Sequence, residues 1–515
     1  MKNLFKSKIK KSKLETMLDE ALYTFPKTKD TWTVADACQG AIAFGATGTG
    51  KSSGICAPLL YSALKKKNTG GIIPVVKSDH FSFVMRIIKA AGREKDVVHF
   101  HPGSGLSFNP IEYELNNPIE GFGQVVNIVN MLTTIIEIGE FNKSGGQGHS
   151  EEKFWTNEVE RLCNRMISLL QIAGEPVTIK NMRRILIDAF TEEDVHRYRK
   201  IWSELKDENL SEKEKDAVWE EYQNWSENNY FLYAFNKANM ADLSEDQRET
   251  LLLISDYFFK FRPRVSSKTT AIVNATFLGG LAEHWLDGIL RNNFSSGVSD
   301  ELRLENTFEE GKIIIVDFPI KKWGIAGVMA NAIMKLAWQR VMETRDVEKE
   351  EDPRPAFLYA DEYQCLCAPQ YDSKFQGTAR SALAITIYAT QNLSGLVAAM
   401  GSHMALDKAK SLTGNLATKF FCANDNYDTN KLASDMIGMH IANLQNLSVK
   451  EGGKGSLSFN QRLMPKINTD QLTMLRTGRS ANNYMVDAVV FKAGKQWKNG
   501  QNYLVAEFDQ NFYKN

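Results

Sequence analysis

Residues 45–52 read GATGTGKS, which fits the pattern GxxxxGK[ST] with Gly45, Gly50, Lys51 and Ser52 at the fixed positions. An apolar run, 41–44, precedes the motif, and a helical period opening at Ser52 follows it. A strand, a glycine-rich turn and a helix in immediate succession commit this part of the chain to a wound α/β sheet. The residue types have a physical purpose. Glycines let successive N–H groups curl inward, and the helix N-terminus adds positive potential, so the turn suits a polyphosphate. Gly45, Ala46, Thr47, Gly48, Thr49, Gly50, Lys51, Ser52 and Ser53 are therefore candidate nucleotide-binding residues. Within them, Lys51 would meet the β- and γ-phosphates and the Ser52 hydroxyl would ligate magnesium. Pro58 falls inside the expected helix, 52–64, and should kink it.

The remaining strand signals are short and apolar, at residues 72–76, 97–100, 312–316, 356–359, 384–388, 417–422 and 484–490. Between the third and fourth of the core strands the pattern changes. NKSGGQGHS, residues 142–150, is a break that no regular element favours, and helical spacing then runs to about residue 290. Inside that stretch, residues 191–222 carry 17 charges in 32 positions, which suits exposed helices rather than strands. The expected organisation is a basic N-terminal arm and lead-in (1–39), a first part of the core (40–141), an inserted all-α domain (151–295) and a second part of the core (305–515).

Bulk charge excludes little: 62 Lys+Arg balance 62 Asp+Glu, so only a local basic patch would mark a nucleic-acid surface. The main anomaly is the N-terminus, where Lys2, Lys6, Lys8, Lys10, Lys11 and Lys13 precede the first acid, Glu15. Such an arm attracts phosphates or anionic lipids, or simply solvates the chain. No uninterrupted apolar stretch is long enough to span a bilayer, and the six cysteines lack CxxC spacing, which reads as a reduced, cytoplasmic chain.

A phosphate loop alone holds nucleotide; hydrolysis needs a metal-supporting carboxylate and a group that activates water. AFLYADE, residues 356–362, ends an apolar strand in two acids, placing Asp361 for the metal and Glu362 as the base. Asp317 ends another strand but has no adjacent acid. The strand at 384–388 leads into Gln391, whose amide both donates and accepts and so suits the γ-phosphate or the attacking water. Arg380, on an expected helix between these motifs, is either a surface charge or an arginine inserted into a neighbouring subunit's site.

With GATGTGKS, LYADE and YATQN in this order, the chain resembles the FtsK/HerA branch of ring-forming motor ATPases. More narrowly, it resembles the coupling proteins of type IV secretion and conjugation, the VirD4/TraG/TrwB family. Pro58 after the loop, Lys77 to Asp79 after the second strand, and Phe108 to Pro110 agree with that family's further motifs. Val75 and Val76 stand where it usually has Asp-Pro. The resemblance implies a RecA-like P-loop NTPase core with a largely parallel sheet and an inserted helical domain. It also implies ATP and Mg2+ as ligands, a homohexameric ring, DNA as translocated substrate, and relaxosome or secretion-channel proteins as partners. In those terms Lys51, Glu362, Gln391 and a neighbour's Arg380 are the catalytic residues, and Ser52 and Asp361 the metal ligands. Such proteins commonly carry membrane helices before the P-loop, whereas only 44 residues precede Gly45 here. A cytoplasmic chain is then expected, and any peripheral attachment at the inner face of the membrane would come from a partner, from the basic arm, or not at all.

Two other readings remain open on the residues alone. One is a segregation or packaging motor of the same superfamily without a secretion role. The other is a nucleotide-dependent adaptor that captures protein cargo without moving DNA.

Overall fold

The computed structural model describes residues 12–66, 69–144, 152–401, 404–449 and 455–513. The lysines at 2, 6, 8, 10 and 11, and positions 145–150 of the glycine-rich break, lie outside them.

The chain divides into two compact units, one formed by residues up to Phe100, Leu304–Lys322 and Ala337 onward, the other by His101–Arg303 and Trp323–Leu336. In the first unit, β1 (Ala21–Thr24) and β2 (Thr31–Thr33) form a small antiparallel pair. Then follow β3 (Ala41–Phe44), β4 (Gly71–Pro74), β5 (Val97–Phe100), β6 (Ile313–Val316), β7 (Ala356–Ala360), β8 (Ala384–Thr390) and β9 (Thr418–Phe421). β10 (Met439–Val449) and β11 (Gly455–Pro465) make a separate hairpin, and β12 (Met485–Lys492) and β13 (Tyr503–Asp509) close the chain.

Nine of these strands form one sheet in the order β13-β12-β9-β3-β8-β7-β4-β6-β5. The seven from β9 to β5 are parallel, and β12 and β13 add antiparallel at one edge. Strands such as IIIV in β6 and AFLYA in β7 are buried at every position, as expected where crossover helices cover both faces of a parallel sheet. β13 alternates buried with more exposed residues, as an antiparallel edge with one open face should.

The helix after β3 does not run as one kinked helix. A π-helical turn, Lys51–Cys56, leads into an α-helix, Ala57–Lys65, with Pro58 in its first turn. Proline has no N–H to give, so the wide turn and the new helix start place it where a donor is not required.

Part of the lead-in, residues 21–33, packs onto the large sheet. Trp32 and Phe25 are fully buried, Trp32 Nε1 donates to Thr418 Oγ1 on β9 at 3.0 Å, and Phe25 packs edge-on against Trp497 and Phe508.

Among the described residues the second unit holds helices and one isolated bridge, Phe108 with Val298. Ser and Thr caps start several of them: Thr191, Ser211 and Ser244 each form a reciprocal capping box with the residue three positions on. An aromatic cluster of Phe190, Trp225, Phe231 and Phe259 fills part of its core. The last strand before the helical unit ends at Phe100, and Val125–Ser144 is a helix whose Ile136 packs against Gly280 of that unit. No helix among the described residues is long and apolar enough to cross a membrane.

Candidate functional site

The loop after β3 is anchored by its two neighbouring strands. Gly45 N–H donates to the Gln391 carbonyl at 3.1 Å and Ala46 N–H to the Ala423 carbonyl at 3.2 Å, so the residues just beyond β8 and β9 hold its start. Thr47 and Gly48 face solvent, while Thr49 and Lys51 are buried. Gly50 has φ +83°, and a methyl group there would lie 2.5 Å from Val486 Cγ2, so both the backbone and the space require glycine.

β8 lies between β3 and β7, and all three run parallel, so the ends carrying Gln391, the phosphate loop and the Asp361–Glu362 pair open on the same side of the sheet. Ser52 Oγ donates to Asp361 Oδ2 at 2.9 Å. Lys51 Nζ lies 3.8 Å from Glu362 Oε1. Gln391 Nε2 donates to Glu362 Oε2 at 3.3 Å. Five residues read from three distant parts of the sequence therefore converge within hydrogen-bond or ion-pair reach.

The structure adds two residues to this set. Lys77, just beyond β4, donates to Glu362 Oε1 at 2.5 Å and lies 3.7 Å from Asp361 Oδ2. Gln364 Nε2 donates to Glu362 Oε2 at 2.5 Å and is itself held by Thr390 Oγ1 at 2.9 Å. Lys77 was visible as the first polar residue after an apolar strand run. Gln364 carries no sequence signal, because only the turn after β7 aims it back at Glu362.

Glu362 is the bend in that turn, with φ 53° and ψ 44°. A non-glycine residue in this left-handed region costs about 1–2 kcal/mol. The strain is held by its contacts: the Glu362 N–H donates to Asp361 Oδ1 at 3.1 Å, and both carboxylate oxygens are engaged.

Both acids are almost fully buried. Burial pushes the Asp361 carboxyl up, but His80, Lys51, Lys77 and the Ser52 hydrogen bond outweigh it and hold it below the ordinary aspartate range. Burial also lowers the pKa of His80, leaving that imidazole neutral at neutral pH, so the lysines carry the effect there. Glu362 follows the same balance: burial raises it, and Lys51 and Lys77 bring it below the usual value. Both carboxylates are thus ionised before any ligand arrives.

The donor set suits magnesium. Ser52 and Asp361 are hard oxygen donors in contact, and Mg2+ binds through one or two protein oxygens while water and phosphate supply the rest.

The other sequence candidates lie elsewhere. Asp317 follows β6, two strands beyond β7, where His99 Nε2 pairs with it at 3.0 Å. Ser53 Oγ accepts from Gln510 Nε2 at 2.6 Å. Arg380 is exposed in the turn between the helix Pro369–Thr378 and β8, not on a helix. It enters β8 at the end opposite Gln391, roughly 20 Å from it along the strand.

A family model described as type IV secretory system conjugative DNA transfer matches residues 2–495. Among solved structures, the plasmid coupling protein TrwB in complex with ADP and Mg2+ is similar with a TM-score of 0.54 at 13% identity, covering 96% of this chain and 90% of that one. TrwB in complex with the non-hydrolysable ATP analogue ADPNP gives 0.53 at 14% identity, covering 92% and 86%. The unbound bacterial conjugative coupling protein TrwBdeltaN70 gives 0.53 at 14%, covering 92% and 86%. No curated protein sequence matches the chain. At these identities the likeness establishes the fold, a RecA-like α/β core of the P-loop NTPase kind.

Proposed function

The chain belongs to the type IV secretory system conjugative DNA transfer family, and from that premise we propose that it is the ATP-hydrolysing coupling protein that drives DNA into a secretion channel. The observation that carries this is the contact of Ser52 and Lys51 with Asp361 and Glu362, which assembles a binding loop and a hydrolytic pair in one place.

ATP would lie along residues 45–53 with its phosphates over the loop N–H groups. Ser52 and Asp361 would hold Mg2+, which when bound would neutralise negative charge on the phosphates. Lys51 and Lys77 now pair with Glu362; a γ-phosphate would compete for both lysines and free the carboxylate. Glu362 then takes a proton from water as the water oxygen bonds to the γ-phosphorus and the bond to the β-γ bridging oxygen breaks, leaving ADP and phosphate. Gln391, already bonded to Glu362, orients that water. Arg380 lies away from its own site and would act in a neighbour's, which requires an assembly such as the homohexameric ring. The TrwB complexes with nucleotide and with ADP and Mg2+ support this choice of ligands. The helical unit would receive relaxosome or channel proteins, and membrane association would be peripheral.

ATP turnover with and without single- and double-stranded DNA tests the reading. A DNA motor is expected to turn over several-fold faster with DNA, and its DNA affinity should fall steeply with salt as phosphate contacts release counterions. A protein adaptor would show neither.

A further inference from the structure

A loop near the C-terminus lies against the phosphate loop. Val486 covers Gly50 and Gly54, the Thr477 carbonyl lies 3.2 Å from where a Gly50 methyl group would sit, and Arg479 Nη2 lies 3.0 Å from where a Gly48 methyl group would sit. Gly48 is exposed with φ +79°, so the arginine approaches the loop where only hydrogen stands in its way.

The placement of Arg479 is built, not incidental. Its backbone has φ 63° and ψ 177°, a region that is essentially glycine-only and costs about 1–3 kcal/mol for any other residue. Its N–H donates to Gln510 Oε1 at 2.7 Å, while Gln510 Nε2 donates to Ser53 Oγ at 2.6 Å, so one side chain ties the strained turn to the first turn of the phosphate-loop helix. The Arg479 carbonyl also accepts from the Tyr484 N–H at 2.7 Å.

Electrostatics then point to an anion. Among the described residues the Arg479 guanidinium has no ion pair. Two carboxylates of the adjoining strands are engaged elsewhere: Asp487 pairs with Arg476 at 2.7 Å, and Glu507 with Arg476 at 2.9 Å and with Lys27 at 2.9 Å. A cation without an ion pair beside the N-terminus of the helix that opens at Lys51 faces like potential. Solvent screens that repulsion at the exposed guanidinium, and a phosphate in the loop would replace it with attraction.

Resting on the nucleotide reading above, we propose that Arg479 is a nucleotide-contacting residue that grips the phosphate chain from its own subunit, on the side of the loop away from Glu362. The turn at 477–484 is then the outer wall of the nucleotide site.

The experiment measures affinity of the full chain for a fluorescent ATP analogue with Mg2+, and the thermal midpoint of the nucleotide-free chain, for wild type, Lys51→Ala, Arg479→Ala, Arg479→Gly and Arg479→Lys. Lys51→Ala should abolish binding. Arg479→Ala and Arg479→Gly should weaken it on the order of tenfold or more, and Arg479→Lys should restore most of it. Arg479→Gly should melt at or above wild type, because glycine relieves the strain while removing the charge. Affinity within twofold of wild type for both the Ala and Gly variants, or a nucleotide-free Arg479→Gly chain that melts below wild type, would overturn the proposal. Wild-type affinity in Lys51→Ala would instead sink the nucleotide reading itself.

Discussion

At the scale of single residues, the site stores its electrostatic tension in Glu362. Two lysines and two amides converge on one carboxylate whose backbone is held in a left-handed bend. Of the two lysines, Lys77 makes the shorter contact and is the more open to solvent, with a side chain 40% exposed against 6% for Lys51, so a phosphate can reach and recruit it. Replacing Lys77 with Met is expected to lower ATP turnover on the order of 100-fold while ADP affinity stays within about threefold, because the lost charge matters only where the γ-phosphate reacts. Turnover assays and ADP titration on the same preparation check this. Of the site residues, those with a fixed spacing or a strand-end position were legible in the text: Lys51 and Ser52 in the loop, Asp361 and Glu362 after one strand, Gln391 after another. Gln364, Gln510 and Arg479 were not, because each acts through a turn whose direction only the folded chain defines.

Individual elements show the same division. β3, β4, β6, β7 and β8 are apolar runs buried on both faces, and such runs are visible without coordinates. β1, β2 and β13 escaped notice for other reasons: β1 and β2 are only four and three residues long, and β13 interleaves Glu507 and Asp509 with its apolar residues, as an edge strand with one open face does. The β10–β11 hairpin was missed for a related reason: Met439, Ile441, Phe459 and Leu463 are all exposed, so burial does not explain their pattern. The segment that leads into the sheet illustrates the consequence. A lysine-rich start reads as an arm, yet Trp32 is sealed against β9. Trp32→Ala is expected to destabilise the unit by about 3–5 kcal/mol, whereas exposed Ile441→Thr should change it by less than about 0.5 kcal/mol. Urea denaturation of the two variants side by side measures both.

For the whole molecule, parallel topology decides which residues a single chain can bring together. It gathers the ends of β3, β8 and β7, and it puts Arg380 at the far end of β8, out of reach of its own phosphate loop. The proposed sharing of sites between copies requires that separation. Glu362→Gln and Arg380→Ala chains, each inactive alone, are expected to regain a fraction of wild-type ATP turnover when mixed, since some pairs then combine an intact Glu362 with a neighbour's intact Arg380. No recovery on mixing would confine Arg380 to a surface role.

The proposed hydrolysis depends on Glu362 acting on water beside a bound triphosphate, and Glu362→Gln tests it most directly because it keeps the shape while removing the base. Single-turnover hydrolysis should fall by at least about 100-fold, with ATP affinity within about threefold of wild type. Hydrolysis at the wild-type rate in that variant would contradict the assignment of the site.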